Sequence, residues 1–87
     1  MNVIQWTKNA LKQLAQIDSR YRKTIKEKTQ ELEKFPSTHL DLKKLKGHEN
    51  EWRLRVGNYR VLFEVIDDTP RIISIQAIKR RNERTYN

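Results

Sequence analysis

The stretch that most constrains the fold is residues 51–65, in which apolar and polar residues alternate on both sides of a Gly-Asn pair at 57–58. A period of two places successive side chains on opposite faces of a strand, and Gly and Asn tolerate the positive φ angles of a two-residue turn. The pattern predicts a β-hairpin in which Arg55 faces Arg60. Like charges directly opposite each other destabilise a sheet by roughly 0.2–1 kcal/mol. The arginine pair therefore indicates an anion site.

Length, charge and the lack of cysteine narrow the function classes. The 87 residues predict a single domain, 1–87, with one core. A net charge of +8 favours nucleic acid or the ribosome as partner, and an acidic protein second. Zero cysteines exclude a disulfide scaffold, a thiol nucleophile and a thiolate zinc site, and we expect no metal and no cofactor. Without a membrane-length apolar run or a signal-peptide core, the expected location is cytoplasmic, with no membrane partner.

The N-terminal part predicts a short strand and two antiparallel helices. The strand covers residues 2–6, and Thr7 and Asp18 are the expected N-caps of the first and second helix. Pro36 ends the second helix. Apolar residues recur with helical spacing on both helices. They are Ala10, Leu11, Leu14 and Ala15 on the first, and Tyr21, Ile25, Thr29, Leu32 and Phe35 on the second.

The remainder predicts a sheet. Residues 36–50 read as a loop with a short strand near 42–45. After the hairpin, residues 67–70 form a turn and residues 71–79 another strand. The fold class is α+β, a small and mainly antiparallel sheet with both helices packed on one face.

Strand parity assigns side chains to the two faces of that sheet. The face toward the helices is predicted to carry Trp52, Leu54, Val56, Tyr59, Val61, Phe63, Val65, Ile73, Ile75 and Ala77. The opposite face is predicted to carry the four arginines Arg53, Arg55, Arg60 and Arg80, with Leu62, Ile66, Ile72 and Ile78. This much exposed apolar surface suggests that a partner covers part of the face.

Each charged residue could simply be solvated surface, yet four guanidiniums together match the bidentate donors that a phosphate requires. Tyr86, beside this patch, could pack, stack on a base or donate a proton. A histidine in a loop is more often solvated than catalytic, which applies to His39 and His48. The other residues predicted to bind RNA are Lys23, Lys26, Lys43, Lys44, Lys46, Lys79, Arg81 and Arg84.

The pattern of residues 52–65, the Asp-rich turn, the Ile-rich strand, the basic residues 79–81 and Tyr86 resemble the RelE/ParE superfamily of toxins from type II toxin–antitoxin pairs. The RelE branch is the most similar, and the resemblance covers nearly the whole chain. It implies a βααβββ fold. It also implies a metal-free endoribonuclease that enters the ribosomal A site and inhibits translation. There it would cut mRNA by driving a ribose 2′-hydroxyl onto the adjacent phosphate.

The resemblance assigns roles to five residues. It places Arg53 and Arg55 where the best-studied relatives have two strand lysines, and Arg60 at their turn arginine. Arg80 matches a late catalytic arginine, and Tyr86 a tyrosine that orients or stacks on mRNA. Arginine, with a pKa above ~12, is a poor general base, whereas lysine can be shifted toward neutrality. The base could thus be an arginine in an unusual environment or ribosomal RNA, or catalysis could rest on charge stabilisation and alignment.

The resemblance also implies the partners: an acidic RelB-like antitoxin, the ribosome with mRNA in its A site, and 16S rRNA. Two other functions stay open. One is a ParE-like inhibitor of DNA gyrase, which shares the fold without cleaving RNA. The other is a non-catalytic module that binds RNA or the ribosome, for which the same basic face would suffice.

Overall fold

The computed structural model describes residues 1–47 and 49–80 as two helices packed on a mixed five-stranded sheet. In chain order the elements are β1 Val3–Trp6, α1 Lys8–Ala15, α2 Ser19–Gln30, a 3-10 turn Glu31–Lys34, β2 Leu42–Lys44, β3 Glu51–Val56, β4 Tyr59–Ile66 and β5 Ile72–Arg80. The strand order is β1-β5-β4-β3-β2, with β1 parallel to β5 and the other pairs antiparallel. This arrangement confirms the predicted α+β class, and β2 is the short strand expected near residues 42–45.

Both helices begin at the predicted caps. The Thr7 hydroxyl accepts a hydrogen bond from the Ala10 amide at 3.1 Å, and the Asp18 carboxylate accepts one from the Arg20 amide at 2.9 Å. These bonds satisfy amides that the first helical turn leaves without partners. The second helix is shorter than predicted, since α2 ends at Gln30 and the 3-10 turn completes the approach to Pro36.

The core lies between the helices and one face of the sheet. Phe35, just after the 3-10 turn, packs edge-on against Trp52 and Phe63, with ring centroids 5.1 and 5.8 Å apart. Three residues on the predicted apolar stripes remain outside this core, because Leu11 is 51% and Tyr21 47% exposed, and Ala15 is exposed as well. The fully buried side chains include Ala10, Ile25, Leu32, Leu54, Val61, Ile73 and Ile75.

The β3–β4 hairpin has the predicted register. Arg55 pairs with Arg60, and Val56 pairs with Tyr59 across the turn. Gly57 adopts a φ of 58°, the left-handed conformation that glycine reaches without a steric penalty. The alternation in residues 51–65 was therefore sufficient to fix this strand pair.

The β4–β5 pair departs from the prediction at a β-bulge. Leu62 pairs with Ala77 and Phe63 with Ile75, so Gln76 has no partner on β4. Beyond this extra residue the parity of β5 is reversed. The predictions for three residues were wrong in consequence. Ile78 is buried opposite Val61, Ala77 lies on the other face, and Arg80 pairs with Tyr59 on the helix side.

The bulge also anchors the start of α1. The Thr7 hydroxyl donates to the carbonyl oxygens of Ile75 and Gln76, at 2.8 and 3.2 Å. The Asn9 side-chain amide Nδ2 donates to the same Gln76 oxygen at 3.1 Å. The extra residue thus presents a carbonyl that bonds the first turn of the helix to the sheet.

Neither helix has the length and apolar character needed to cross a membrane, a statement that covers residues 1–47 and 49–80.

Candidate nucleic-acid interface

A row of charged residues crosses β3, β4 and β5 and ends at the residue before β2, on the face of the sheet opposite the helices, which we call the open face. The Arg55 amide donates to the Asp41 carbonyl at 3.0 Å, Arg55 pairs with Arg60, and Arg60 pairs with Lys79. Neighbouring strands are about 4.8 Å apart, so the four residues succeed one another at that spacing. We call Asp41, Arg55, Arg60 and Lys79 the charged row. It lies at the turn end of the hairpin and carries three cations and one anion.

Arg53 stands behind the charged row, one position further along the open face of β3. Its side chain is 12% exposed, whereas that of Arg55 is 42% exposed. The Arg53 Nη1 atom is buried and has no hydrogen-bond partner among the described residues. A buried donor without a hydrogen bond is costly, and the nearby Asp41 carboxylate offsets its charge. Arg53 therefore adds positive charge beneath the row.

The Asp41 carboxylate lies close to two site arginines. Its oxygens are 3.8 Å from Arg53 Nη1 and 3.9 Å from Arg55 Nε. These separations permit Coulomb attraction but exceed hydrogen-bonding distance, so the guanidinium donors are not consumed by the ion pairs. Asp41 is 55% exposed, and a ligand can reach it.

Sequence reasoning did not identify Asp41. The signal was present in the alternation of Leu40, Asp41 and Leu42, which assigns Asp41 to the open face once Leu42 faces the core. Leu42 pairs with the buried Leu54, which fixes that orientation. The missing information was the pairing of β2 with β3, which local periodicity does not supply.

The predicted cluster of four arginines is thus corrected to three. Arg53, Arg55 and Arg60 share the open face, and Lys79 occupies the place that parity had assigned to Arg80. Arg80 instead lies beside Tyr59 on the helix side. Its position changes, and its predicted role in catalysis stays a prediction.

The other predicted RNA-binding lysines are all exposed, which agrees with a basic surface without testing it. Lys23 and Lys26 lie on α2, Lys43 and Lys44 on β2, and Lys46 follows β2. Arg81, Arg84, Tyr86 and His48 lie outside the described residues. Within the part of the chain that is described, no three His, Asp or Glu residues are grouped to hold a metal ion.

The other end of the open face is apolar. Ile66 pairs with Ile72 and Ile72 with Val3, so three aliphatic side chains adjoin across β4, β5 and β1. Val3 is 40% and Ile66 38% exposed, and Ile72 is half-buried. The predicted apolar surface therefore exists, with Val3 in place of the buried Ile78. We call Val3, Ile66 and Ile72 the apolar end.

Comparison with known proteins gives consistent matches. The family model described as the ParE toxin of type II toxin–antitoxin systems, parDE, matches residues 4–85. Toxin RelE3 of Methanocaldococcus jannaschii is 36% identical over 86 residues, which cover 95% of this chain and 96% of the relative. The putative toxin RelE1 of the same organism is 37% identical over 76 residues, 85% of this chain and 83% of the relative.

Solved structures agree on the fold. The RelB–RelE antitoxin–toxin complex from Methanococcus jannaschii matches with a TM-score of 0.69 and 29% identity, over 87% of this chain and 88% of the matched chain. The isolated E. coli RelE toxin matches with a TM-score of 0.80 and 19% identity, over 98% and 89%. The archaeal RelE–RelB complex from Pyrococcus horikoshii gives 0.76 and 24%, over 95% and 98%.

Proposed function

Because the chain belongs to the RelE/ParE family of toxins from type II toxin–antitoxin systems, we propose that it is a ribosome-dependent endoribonuclease that cleaves mRNA in the A site. Cleavage there would inhibit translation, and the protein would act in the cytoplasm, where ribosomes are. The single observation that carries the proposal is the charged row with Arg53 behind it. Three neighbouring cations on an exposed sheet face are suited to one phosphate and its developing charge.

In the proposed reaction the arginines hold the scissile phosphate. Arg55 and Arg60 bracket it from adjacent strands, and the mostly buried Arg53 adds positive charge behind them. The ribose 2′-oxygen attacks phosphorus, and the bond from phosphorus to the 5′-oxygen breaks. The 2′-hydroxyl loses its proton and the departing 5′-oxygen gains one from solvent. The guanidiniums stabilise the charge on the non-bridging oxygens, which is greatest in the transition state.

Asp41 supplies a proton acceptor at this site. A carboxylate beside the groups proposed to hold the phosphate would lie near the hydroxyl next to that phosphate, and such proximity is the first requirement for a general base. Its oxygens lie within 4 Å of Arg53 and Arg55. We assign it the 2′-hydroxyl proton, in preference to an arginine, whose guanidinium stays protonated near neutral pH.

The proposed partners follow from the two ends of the open face and from the basic surface of α2. The charged row would contact mRNA within the ribosome, and the exposed Lys23 and Lys26 on α2 would face 16S rRNA. An acidic RelB-like antitoxin is proposed by analogy with the RelB–RelE complexes of relatives. Its charge complements the net charge of +8, and the apolar end offers a seat for aliphatic side chains.

Primer extension on mRNA translated in a purified system tests the proposal. Cuts within codons that require ribosomes support it, and Arg60→Ala serves as the matched inactive control. Since the matching family model is that of ParE, a parallel reaction contains DNA gyrase and supercoiled DNA. Gyrase-trapped, cleaved DNA without mRNA cuts would replace the proposal with gyrase inhibition. If neither cut mRNA nor cleaved DNA forms, the remaining function is that of a non-catalytic RNA-binding module.

A further inference from the structure

We propose that the helix-side hollow around Tyr21, Tyr59 and Arg80 binds one unpaired base of single-stranded RNA with its adjoining phosphate. The proposal extends the RNA path beyond the scissile phosphate to the opposite face of the sheet. It rests on the proposed function for the identity of the nucleic acid. We call the hollow the base pocket.

The base pocket consists of two adjoining cavities of about 240 and 510 Å³. Tyr21, Tyr59 and Arg80 line both of them, so these three side chains form the boundary between the two spaces. Gly57 and Asn58 of the hairpin turn line the smaller cavity, which places it next to the end of the sheet that carries the charged row. The site is therefore contiguous with the proposed active site around the edge of the hairpin.

Tyr21 presents an aromatic surface to this space. It is 47% exposed although it continues the apolar stripe of α2, and its ring centroid is 6.0 Å from that of Tyr59 with a 45° angle between the rings. The Arg20 guanidinium lies 5.3 Å from the Tyr21 centroid, close enough for a cation–π contact that holds the ring. An exposed ring fixed by two neighbours is a platform on which a nucleobase can stack.

The charges of the base pocket favour a phosphate near Arg80 rather than near Arg20. Arg20 is engaged by Asp18, with Nε and Nη2 at 3.2 and 3.1 Å from the two carboxylate oxygens. The side-chain hydrogen bond from Arg20 lowers the pKa of Asp18 below its usual 3.8, so the pair stays ionised at neutral pH. Arg80 is exposed at the end of β5 and lines the same space.

The position of the base pocket relative to the charged row indicates RNA rather than a peptide. Tyr59 and Arg60 are successive residues with side chains on opposite faces, and so are Lys79 and Arg80. A strand that crosses the turn end of the sheet would thus meet cations first on one face and then on the other. Regularly spaced phosphates with an attached base match this alternation of cations and an aromatic ring.

The test measures binding of the full-length chain to a fluorescein-labelled, single-stranded RNA hexamer with 2′-O-methyl riboses, which cannot undergo 2′-attack. Fluorescence anisotropy should show about tenfold weaker binding for Tyr21→Ala, the scale expected for one stacked base. Tyr21→Phe keeps the ring and should bind within about twofold of the parent. Leu11→Ala, an equally exposed apolar truncation on α1 outside both cavities, is the control and should bind like the parent.

Abasic substitution of the probe, one position at a time, identifies the stacked base. At one position the loss of the base should weaken binding to the parent about tenfold and leave binding to Tyr21→Ala unchanged. Equal losses in parent and variant at every position would overturn the proposal, as would undetectable binding of the parent. Thermal melts of each variant establish that it is folded.

The result separates this inference from the proposed function. If the parent shows the Tyr21-dependent abasic effect but does not cut translated mRNA, the base pocket is supported and the proposed nuclease activity is contradicted. If the parent cuts mRNA but Tyr21→Ala binds the probe as tightly as the parent does, the nuclease activity is supported and the base pocket is contradicted.

Discussion

The two antiparallel strand pairs that share β4 differ by one residue. The β3–β4 pair is regular over its whole length, whereas the β4–β5 pair contains the bulge at Gln76. In the first pair, alternation alone places every side chain, including Arg55 and Arg60. In the second, the extra residue reverses parity and moves Arg80 to the helix side. A single inserted residue therefore decides whether a late cation belongs to the charged row or to the base pocket.

The largest difference between the two pairs should appear in catalysis. We expect Arg60→Ala to lower single-turnover cleavage on programmed ribosomes by about 100- to 1,000-fold, since it removes charge stabilisation at the phosphate. Arg80→Ala should lower it by only about tenfold, because Arg80 lies on the other face and contributes binding. The sequence parity had assigned both residues to one cluster and hence similar losses.

Circular dichroism on the same preparations controls for folding, since Arg60 and Arg80 are both exposed and outside the core. Equal, severe losses would show that Arg80 reaches the scissile phosphate despite its position. The two faces of the sheet would then contribute equally to cleavage, contrary to this prediction.

Stability gives the next largest effect. Ile78 is 6% exposed and packs into the core only because of the bulge, so Ile78→Ala should lower the free energy of unfolding by about 2–5 kcal/mol. Ile72→Ala, at a half-buried site on the open face, should cost about 1 kcal/mol. Urea unfolding followed by tryptophan fluorescence measures both. Similar small costs would indicate that β5 keeps uninterrupted alternation.

These residues also show how far the sequence could be used. The helix caps Thr7 and Asp18 and the hairpin register are encoded within a few residues, so local rules predicted them. The bulge depends on contacts between residues nearly 70 positions apart, at Thr7 and Gln76. Asp41 likewise joins the site only through the pairing of β2 with β3. Periodicity carries no information about either contact.

A smaller effect probes the bond between the bulge and α1. Thr7→Ala removes the hydroxyl that accepts from the Ala10 amide and donates to the carbonyls of Ile75 and Gln76. It should lower the free energy of unfolding by about 1–2 kcal/mol. Thr7→Ser keeps the hydroxyl and should retain most of the stability. The difference between these variants in urea unfolding isolates the hydroxyl. If both variants lose the same stability, the methyl group accounts for the effect and the bulge is held by other contacts.

The smallest change in cleavage rate is expected in the regular β3–β4 pair, where Arg55→Lys preserves the cation opposite Arg60. A lysine ammonium beside other cations loses its proton more readily than an isolated one, whereas a guanidinium does not. If Asp41 accepts the 2′-hydroxyl proton, this difference is irrelevant. Cleavage by Arg55→Lys should then remain within about threefold of the parent, with the same pH dependence of the single-turnover rate.

Two variants make the experiment decisive. Asp41→Asn keeps the size of the side chain but removes the acceptor, so its single-turnover cleavage rate should fall. Arg55→Gln removes the charge and should lose most of the cleavage. A lysine variant that is faster than the parent and gains a new basic limb would mean that position 55 takes the proton once it can. Asp41 would then act by positioning Arg53 and Arg55, because its carboxylate forms ion pairs with both.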